Sequence, residues 1–407
     1  MVNVIGLGYI GLPTALMLAS HGVDIVGTDY NTKLVDTLNT GHTTFKEKGL
    51  DSVFKKAVES GIRFTTEYQH TDTYIISVPT PYDRLSKCVD ARYVVAAVDS
   101  VLDVCAHGAT IIIESTISPG TINKHVRPLI DKHGLKIGED VQLVHAPERI
   151  LPGNMMFELV HNNRTIGADD ASVGEKVRKL YASFCKGEIT VTDIRTTEMT
   201  KVVENTFRAV NIAFANELSR ICHYNGMDVN EIIRICNKHP RVNIMNPGPG
   251  VGGHCIPIDP WFLVGDYPQL TKMIGASLEV NASQPEYVMQ RIREIMHEKG
   301  IADSSRVGVY GLTYKENVDD FRESPALQMF DSQRRHLAAP LKCYDPMLEG
   351  RHIVESQYDN FTTFLTDVDM VVVMVKHDHI KENWGKLEGK VILDCHNFYP
   401  LPNTYKL

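Results

Sequence analysis

The chain opens with a short β-branched run, Val2–Ile5, that passes directly into Gly6-Leu-Gly8-Tyr-Ile-Gly11. A glycine turn between a strand and a helix start narrows the choice of folds sharply. Gly6 permits the tight turn, Gly8 lets backbone approach a pyrophosphate, and Gly11 allows the helix to lie close on the strand. The helix that starts there directs its free amides and positive dipole end at phosphates. The second strand, Asp24–Gly27, runs up to Asp29, 18 residues beyond Gly11. An acid at that point accepts hydrogen bonds from the adenosine ribose and repels a 2′-phosphate, which favours NAD over NADP. Taken alone, the motif is also compatible with a glycine turn in an α/β fold that binds nothing.

The pattern continues as α/β. Strand-like runs at Thr73–Val78, Ala109–Ile113 and Val141–Val144 alternate with amphipathic segments, as in a parallel, doubly wound sheet. Residues 196–225 then contain neither glycine nor proline and stop at Gly226, a natural helix C-cap. That length, about eight turns, suits a helix joining two domains. More helix is expected over 271–299. From Arg306 the alternation resumes, with strands at Val307–Tyr310, Leu341–Tyr344, Val368–Val375 and Val391–Leu393. The expected architecture is two doubly wound, Rossmann-like parallel-sheet domains joined by a long central helix and a helical middle domain. The divisions fall at 1–195, 196–300 and 301–407. The later strand–turn, Gly308-Val-Tyr-Gly311, lacks a third glycine and shows no equivalent acid, so it reads as a different nucleotide site.

Composition excludes several other classes. A net charge of −8 with no basic block argues against a nucleic-acid binder. The eight cysteines are scattered without a CxxC pair or Cys/His cluster, so no metal site is expected. Dispersed thiols suit a reducing cytoplasm. The apolar start lacks a basic n-region and is broken by glycines, and Met370–Val375 is too short to span a bilayer, so no membrane role is expected.

Residues 246–261, NPGPGVGGHCIPIDPW, form a proline-stiffened glycine loop holding one cysteine, Cys255. Such a loop aims a thiol by its backbone, with His254 or a nearby lysine available to lower the thiol pKa. A small buried residue is the equal alternative. On the long helix, Lys201, Asn205 and Arg208 fall at i, i+4 and i+7, within an arc of roughly 60°. An ammonium and an amide so spaced can hold a water or stabilise an oxyanion; a plain solvated stripe is the other reading. Glu198 and Glu204 are expected on other faces.

At this point the sequence resembles the UDP-glucose/GDP-mannose dehydrogenase family over essentially its whole length. The matching segments are GLGYIGLPTA, SVPTP (77–81), ESTISPGT (114–121), HAPERILPG (145–153), TKVVENTFRAVNIAFANEL (200–218), GPGVGGHCIPIDPW (248–261) and GLTYKENVDDFRESP (311–325). GGHC in place of GGSC, with HPRVNI (239–244) and VHNNRTIG (160–167), points to the N-acetylhexosamine branch, with N-acetylmannosamine ahead of N-acetylglucosamine as the sugar. The resemblance implies an NAD-dependent, four-electron oxidation of a UDP-sugar C6 hydroxyl to a carboxylate, and a homodimer formed through the central helix.

By the same resemblance, Cys255 forms a thiohemiacetal and then a thioester, with Lys201, Asn205 and Asp259 handling protons and the oxyanion. Glu148, supported by Thr116, is the implied base for releasing the acid. The cofactor is implied at Gly6, Gly8, Tyr9, Ile10, Gly11, Asp29, Lys33, Pro79, Thr80 and Thr116. Arg322 reaches the cofactor, or instead pairs with Asp319 or Asp320. The sugar nucleotide is implied at Arg149, Ile150, Lys201, Asn205, Arg208, His239, Arg241, Gly252, Tyr314 and Lys315. A catalytically silent nucleotide-sugar sensor is the competing class, and the presence of Cys255 argues against it.

Overall fold

A computed structural model describes residues 1–83, 86–398 and 404–407. The chain forms two compact units, Met1–Glu204 and Asn205–Leu407, with the boundary inside the long helix Ile194–Tyr224.

The first unit contains an eight-stranded sheet: β1 (Val2–Ile5), β2 (Ile25–Thr28), β3 (Arg63–Thr65), β4 (Thr73–Ile76), β5 (Ala109–Ile113), β6 (Val141–His145), β7 (Arg164–Ala168) and β8 (Ile189–Thr192). Their order is β3-β2-β1-β4-β5-β6-β7-β8. Both faces are buried, which explains the unbroken apolar runs. Ile75 and Ile112 enter one core, while Tyr74, Ile76, Ile111 and Ile113 enter the other. Each such side chain removed from water contributes about 1.5–3 kcal/mol.

The sheet is not wholly parallel as the sequence suggested, because β7 runs antiparallel to β6. Only the short helix Met155–His161 separates them, with no crossover to restore direction. The segments of β3, β7 and β8 did not stand out as strands in the sequence; β3 and β8 are short, partly exposed edge strands, while the buried β7 breaks its apolar run with Arg164, Thr165 and Gly167.

The second unit repeats the design. Its strands are β9 (Val307–Tyr310), β10 (Lys342–Tyr344), β11 (Gln357–Tyr358), β12 (Met370–Val373), β13 (Val391–Asp394) and β14 (Thr404–Lys406), all parallel where paired. The order β11-β10-β9-β12-β13-β14 matches that of the first six strands of the other sheet. The helical stretch expected over 271–299 is two helices, Lys272–Ala282 and Gln284–Lys299. Pro285, lacking an amide hydrogen, starts the second helix where it would have broken a continuous one. No helix among the described residues is long and apolar enough to cross a membrane.

Candidate active site

In the first unit the glycine turn is built as its spacing requires. Gly6 has φ +87°, and a Cβ on Gly11 would lie 1.9 Å from the Gly6 carbonyl oxygen. At Gly8 a Cβ would meet nothing within 4 Å, so the space beside that backbone is open to a phosphate. The residues therefore fit a dinucleotide. Asp29 is buried at the end of β2: Oδ2 accepts from the Leu7 amide at 2.8 Å and Oδ1 from the Asn31 amide at 2.9 Å. It thus braces the glycine turn from the end of β2, where the ribose was expected. The Tyr9 and Phe45 rings pack in a tilted arrangement, with centroids 4.4 Å apart and planes 31° from parallel. Thr80 is buried, Ile10 and Thr116 half-buried, and Lys33 and Pro79 exposed.

Glu148 follows β6 and is buried. Its Oε1 accepts the Arg149 amide at 2.7 Å, and its Oε2 pairs with the Arg164 guanidinium. Ile150 is buried. The Arg149 guanidinium is spoken for by the Asn163 carbonyl (2.7 Å), Thr165 Oγ1 (2.8 Å) and Glu204 (2.7 Å). A substrate meeting Arg149 would share it with these groups.

Glu198 and Glu204 do more than occupy other faces of the helix, as first read. Glu204 pairs with Arg149, and Glu198 is fully buried, accepting the Gly120 and Ile122 amides at 2.7 and 2.9 Å. Burial pushes the Glu198 carboxyl up from its ordinary value against those bonds. Lys201 lies on this stretch of helix and is buried.

In the second unit, the Cys255 carbonyl accepts the amides of Ile258 (3.1 Å) and Asp259 (2.8 Å), tying the cysteine loop to the start of helix Asp259–Asp266. Asp259 Oδ2 in turn accepts the Asn205 Nδ2 hydrogen at 2.6 Å, and both side chains are buried. The thiol itself is half-buried.

The loop rests on the segment after β9. The Gly253 amide donates to the Arg322 carbonyl at 3.0 Å, and a Cβ on Gly252 would come within 2.7 Å of Tyr314 Cβ and the Glu323 carbonyl oxygen. Gly252 therefore has a packing reason to be glycine, independent of any ligand.

His254 was expected to help lower the thiol pKa, and its surroundings bear on that. Desolvation and then the Arg322 cation hold the imidazole below its ordinary value, which works against a positive charge there. Arg322 itself forms a forked ion pair with Asp320, at 3.0 and 2.6 Å.

A cleft of about 160 Å³ opens beside this loop, lined by Pro249, Gly250, Tyr314, Lys315, Lys376 and His396 among others. It lies at the C-terminal edge between β9 and β12, where the strand order reverses, the usual ligand position in such sheets. Tyr314 and Lys315 were expected there. Lys376 and His396 were not, because they follow β12 and β13 in segments with no distinctive spacing. The second unit also has the acid that the sequence seemed to lack: Asp345, ending β10, accepts the Leu312 amide at 2.6 Å, as Asp29 accepts Leu7. Asp345 is buried and also meets His377 at 3.4 Å. Arg208 is half-buried, while His239 and Arg241 are exposed on one turn where the Arg241 amide donates to His239 Nδ1 at 3.3 Å. The cleft lining includes none of these three.

Two doubly wound units, one with a dinucleotide turn and the other with a lysine-bearing cleft beside a cysteine loop, define a nucleotide-dependent dehydrogenase. The sequence matches the UDP-glucose/GDP-mannose dehydrogenase family throughout: its NAD binding domain over residues 1–185, its central domain over 195–283 and its UDP binding domain over 308–400. The chain belongs to this family, and is an NAD-dependent nucleotide-sugar dehydrogenase. It is 40% identical to a UDP-N-acetyl-D-mannosamine dehydrogenase of Methanococcus maripaludis, over 97% of this chain and 92% of the relative. It is 37% identical to an NDP-N-acetyl-D-galactosaminuronic acid dehydrogenase of Ralstonia nicotianae, over 98% and 96%. The solved UDP-D-ManNAc dehydrogenase of Pyrococcus horikoshii superposes with a TM-score of 0.91 at 36% identity, covering 100% of this chain and 99% of that one.

Proposed function

We propose that this enzyme oxidises the C6 hydroxyl of UDP-N-acetyl-D-mannosamine to the carboxylate, by way of a thioester on Cys255. The observation that carries the proposal is the cysteine loop. Its backbone is fixed to Asp259 on one side and to the Tyr314–Pro325 segment on the other, beside a lysine-bearing cleft suited to a diphosphate. A cysteine serving only as filler has no need of that mounting.

NAD, when bound, would accept one hydride in each oxidation, so a fresh NAD would replace NADH at the single dinucleotide turn between the two steps. Lys201 takes the C6 hydroxyl proton as the alcohol becomes an aldehyde, and stabilises the developing oxyanion. The Cys255 thiolate adds to the aldehyde carbon, giving a thiohemiacetal whose C6 still carries a hydrogen to lose. Its oxidation leaves a thioester. Glu148 then takes a proton from water as water attacks the carbonyl and the thiolate departs. Asn205 and Asp259 orient the groups around the thiol, and Thr116 supports Glu148.

The relative named for N-acetyl-D-galactosaminuronic acid favours a second sugar reading of the same chemistry. Comparing kcat/KM for UDP-N-acetylmannosamine, UDP-N-acetylglucosamine and UDP-N-acetylgalactosamine decides between them. The first is expected to lead, and a lead by either other sugar overturns the choice.

The enzyme is further proposed to act as a homodimer through the central helix. Phe207, Phe214 and Ile221 form an exposed apolar stripe along it, at 61%, 53% and 55% exposure. The eight unpaired cysteines agree with work in the cytoplasm.

A further inference from the structure

Glu148 is embedded in a buried charge cluster within the first unit. Arg164, the first residue of β7, has a side chain only 4% exposed and directs Nη2 to Glu148 Oε2. Its guanidinium carbon sits 4.3 Å from the Tyr181 ring centroid and 5.5 Å from that of Phe184, so its plane is gripped by aromatic rings. A second buried carboxylate, Glu114 at the end of β5, stands 3.7 Å from Arg164 Nη1, beyond hydrogen-bond range. Glu114 instead accepts from Ser77 Oγ (2.5 Å), Tyr181 Oη (3.0 Å) and Thr14 Oγ1 (3.3 Å). One cation thus serves two buried acids but makes its hydrogen bond to only one of them, and that acid stands on an irregular loop. A buried ion pair of this kind is a poor source of stability compared with apolar residues of similar volume.

We propose that Arg164 is a positioning residue for Glu148, keeping its carboxylate charged and fixed in direction so that it can deprotonate the water that cleaves the Cys255 thioester. The inference rests on the reading of Glu148 as the base for that step. The balance is simple: water oxygen bonds to the acyl carbon, the carbon–sulfur bond breaks, sulfur leaves as thiolate and the water proton passes to Glu148. The second proton leaves with the product acid. Glu148 meets Arg164 from β7, which in turn faces Glu114 from β5 and Tyr181 from helix Ala171–Tyr181, while His145 and Arg149 lie on its own segment. Arg149 is committed to Glu204, and burial holds His145 down at about 4. Arg164 is therefore the cation that answers Glu148.

The test uses the full-length enzyme with NAD and UDP-N-acetylmannosamine, comparing wild type with Arg164→Met, Arg164→Lys and Glu148→Gln. Stopped-flow NADH formation, intact mass after acid quenching and the pH profile of kcat are measured for each. Arg164→Met is expected to keep the rapid release of two NADH per site while kcat falls on the order of tenfold or more. Acyl-enzyme accumulates on Cys255, and the acid limb of kcat moves to higher pH, since an uncompensated buried carboxylate holds a proton. Arg164→Lys retains the charge with one donor and recovers part of kcat; should the Met variant not fold, the Lys variant decides, by lowered kcat with an intact burst. Loss of the burst together with kcat, or a pH profile superimposing on wild type, overturns the proposal. Absence of acyl-enzyme in Glu148→Gln overturns the reading of Glu148 as well. Its presence there, without accumulation in the folded Arg164 variants, overturns the role of Arg164 alone.

Discussion

Asp29 has a structural duty on view and a cofactor duty that can be tested beside it. Its carboxylate accepts the Leu7 and Asn31 amides, so it shapes the glycine turn that it also complements chemically. Asp29→Asn retains an acceptor but loses the charge, and the KM for NAD is expected to rise about tenfold or more with a smaller change in kcat; titrating NAD at saturating sugar nucleotide measures both. A change confined to kcat would contradict the cofactor role. His145 tests burial instead. Its Nδ1 donates to the Ile113 carbonyl at 2.8 Å, and desolvation lowers its pKa to about 4. The unfolded chain binds that proton near pH 6.5, so stability is fully present above that value and lost as pH falls toward 4, by at most about 3 kcal/mol. Denaturant midpoints between pH 7.5 and 4.5 are expected to fall less in His145→Gln than in wild type. At this scale the sequence displayed Gly6, Gly11 and Asp29, because the turn geometry admits few residues. Arg164 and Glu198 stayed hidden, since their contacts are with groups far along the chain, Glu148 for the first and the Gly120 and Ile122 amides for the second.

Among the elements, the central helix was the easiest to read. The absence of glycine and proline, with Gly226 at its end, fixed its extent to within two residues of Ile194–Tyr224. Its two faces were harder. The stripe of Lys201, Asn205 and Arg208 was visible at helical spacing, but not that Asn205 would bond Asp259. On the exposed stripe, Phe214→Glu is expected to shift the enzyme from dimer to monomer in light scattering at micromolar concentration, because a charge placed in an apolar contact is costly to desolvate. An unchanged mass would remove this face from the interface. The short strands β3, β8, β11 and β14 escaped notice because edge strands carry little periodicity, and pairing with a neighbour defines them.

At the scale of the whole molecule, the two α/β sheets were legible from alternating apolar runs, whereas their shared strand order was not. The correspondence of Asp345 with Asp29 was obscured because a longer loop separates β9 from the next helix, moving the second acid beyond the usual interval. The repeated design gives each unit a nucleotide-binding edge, one for the cofactor and one suited to the sugar nucleotide. Such a pair suits the proposed route, in which the aldehyde made by the first oxidation is held on Cys255 for the second. The direct test of that account is the amount of NADH formed per UDP-N-acetylmannosaminuronate released, measured alongside Cys255→Ala. Two NADH per acid, with acid formation abolished in the variant, is the predicted result. A ratio of one, or acid formation that survives removal of the thiol, would contradict it.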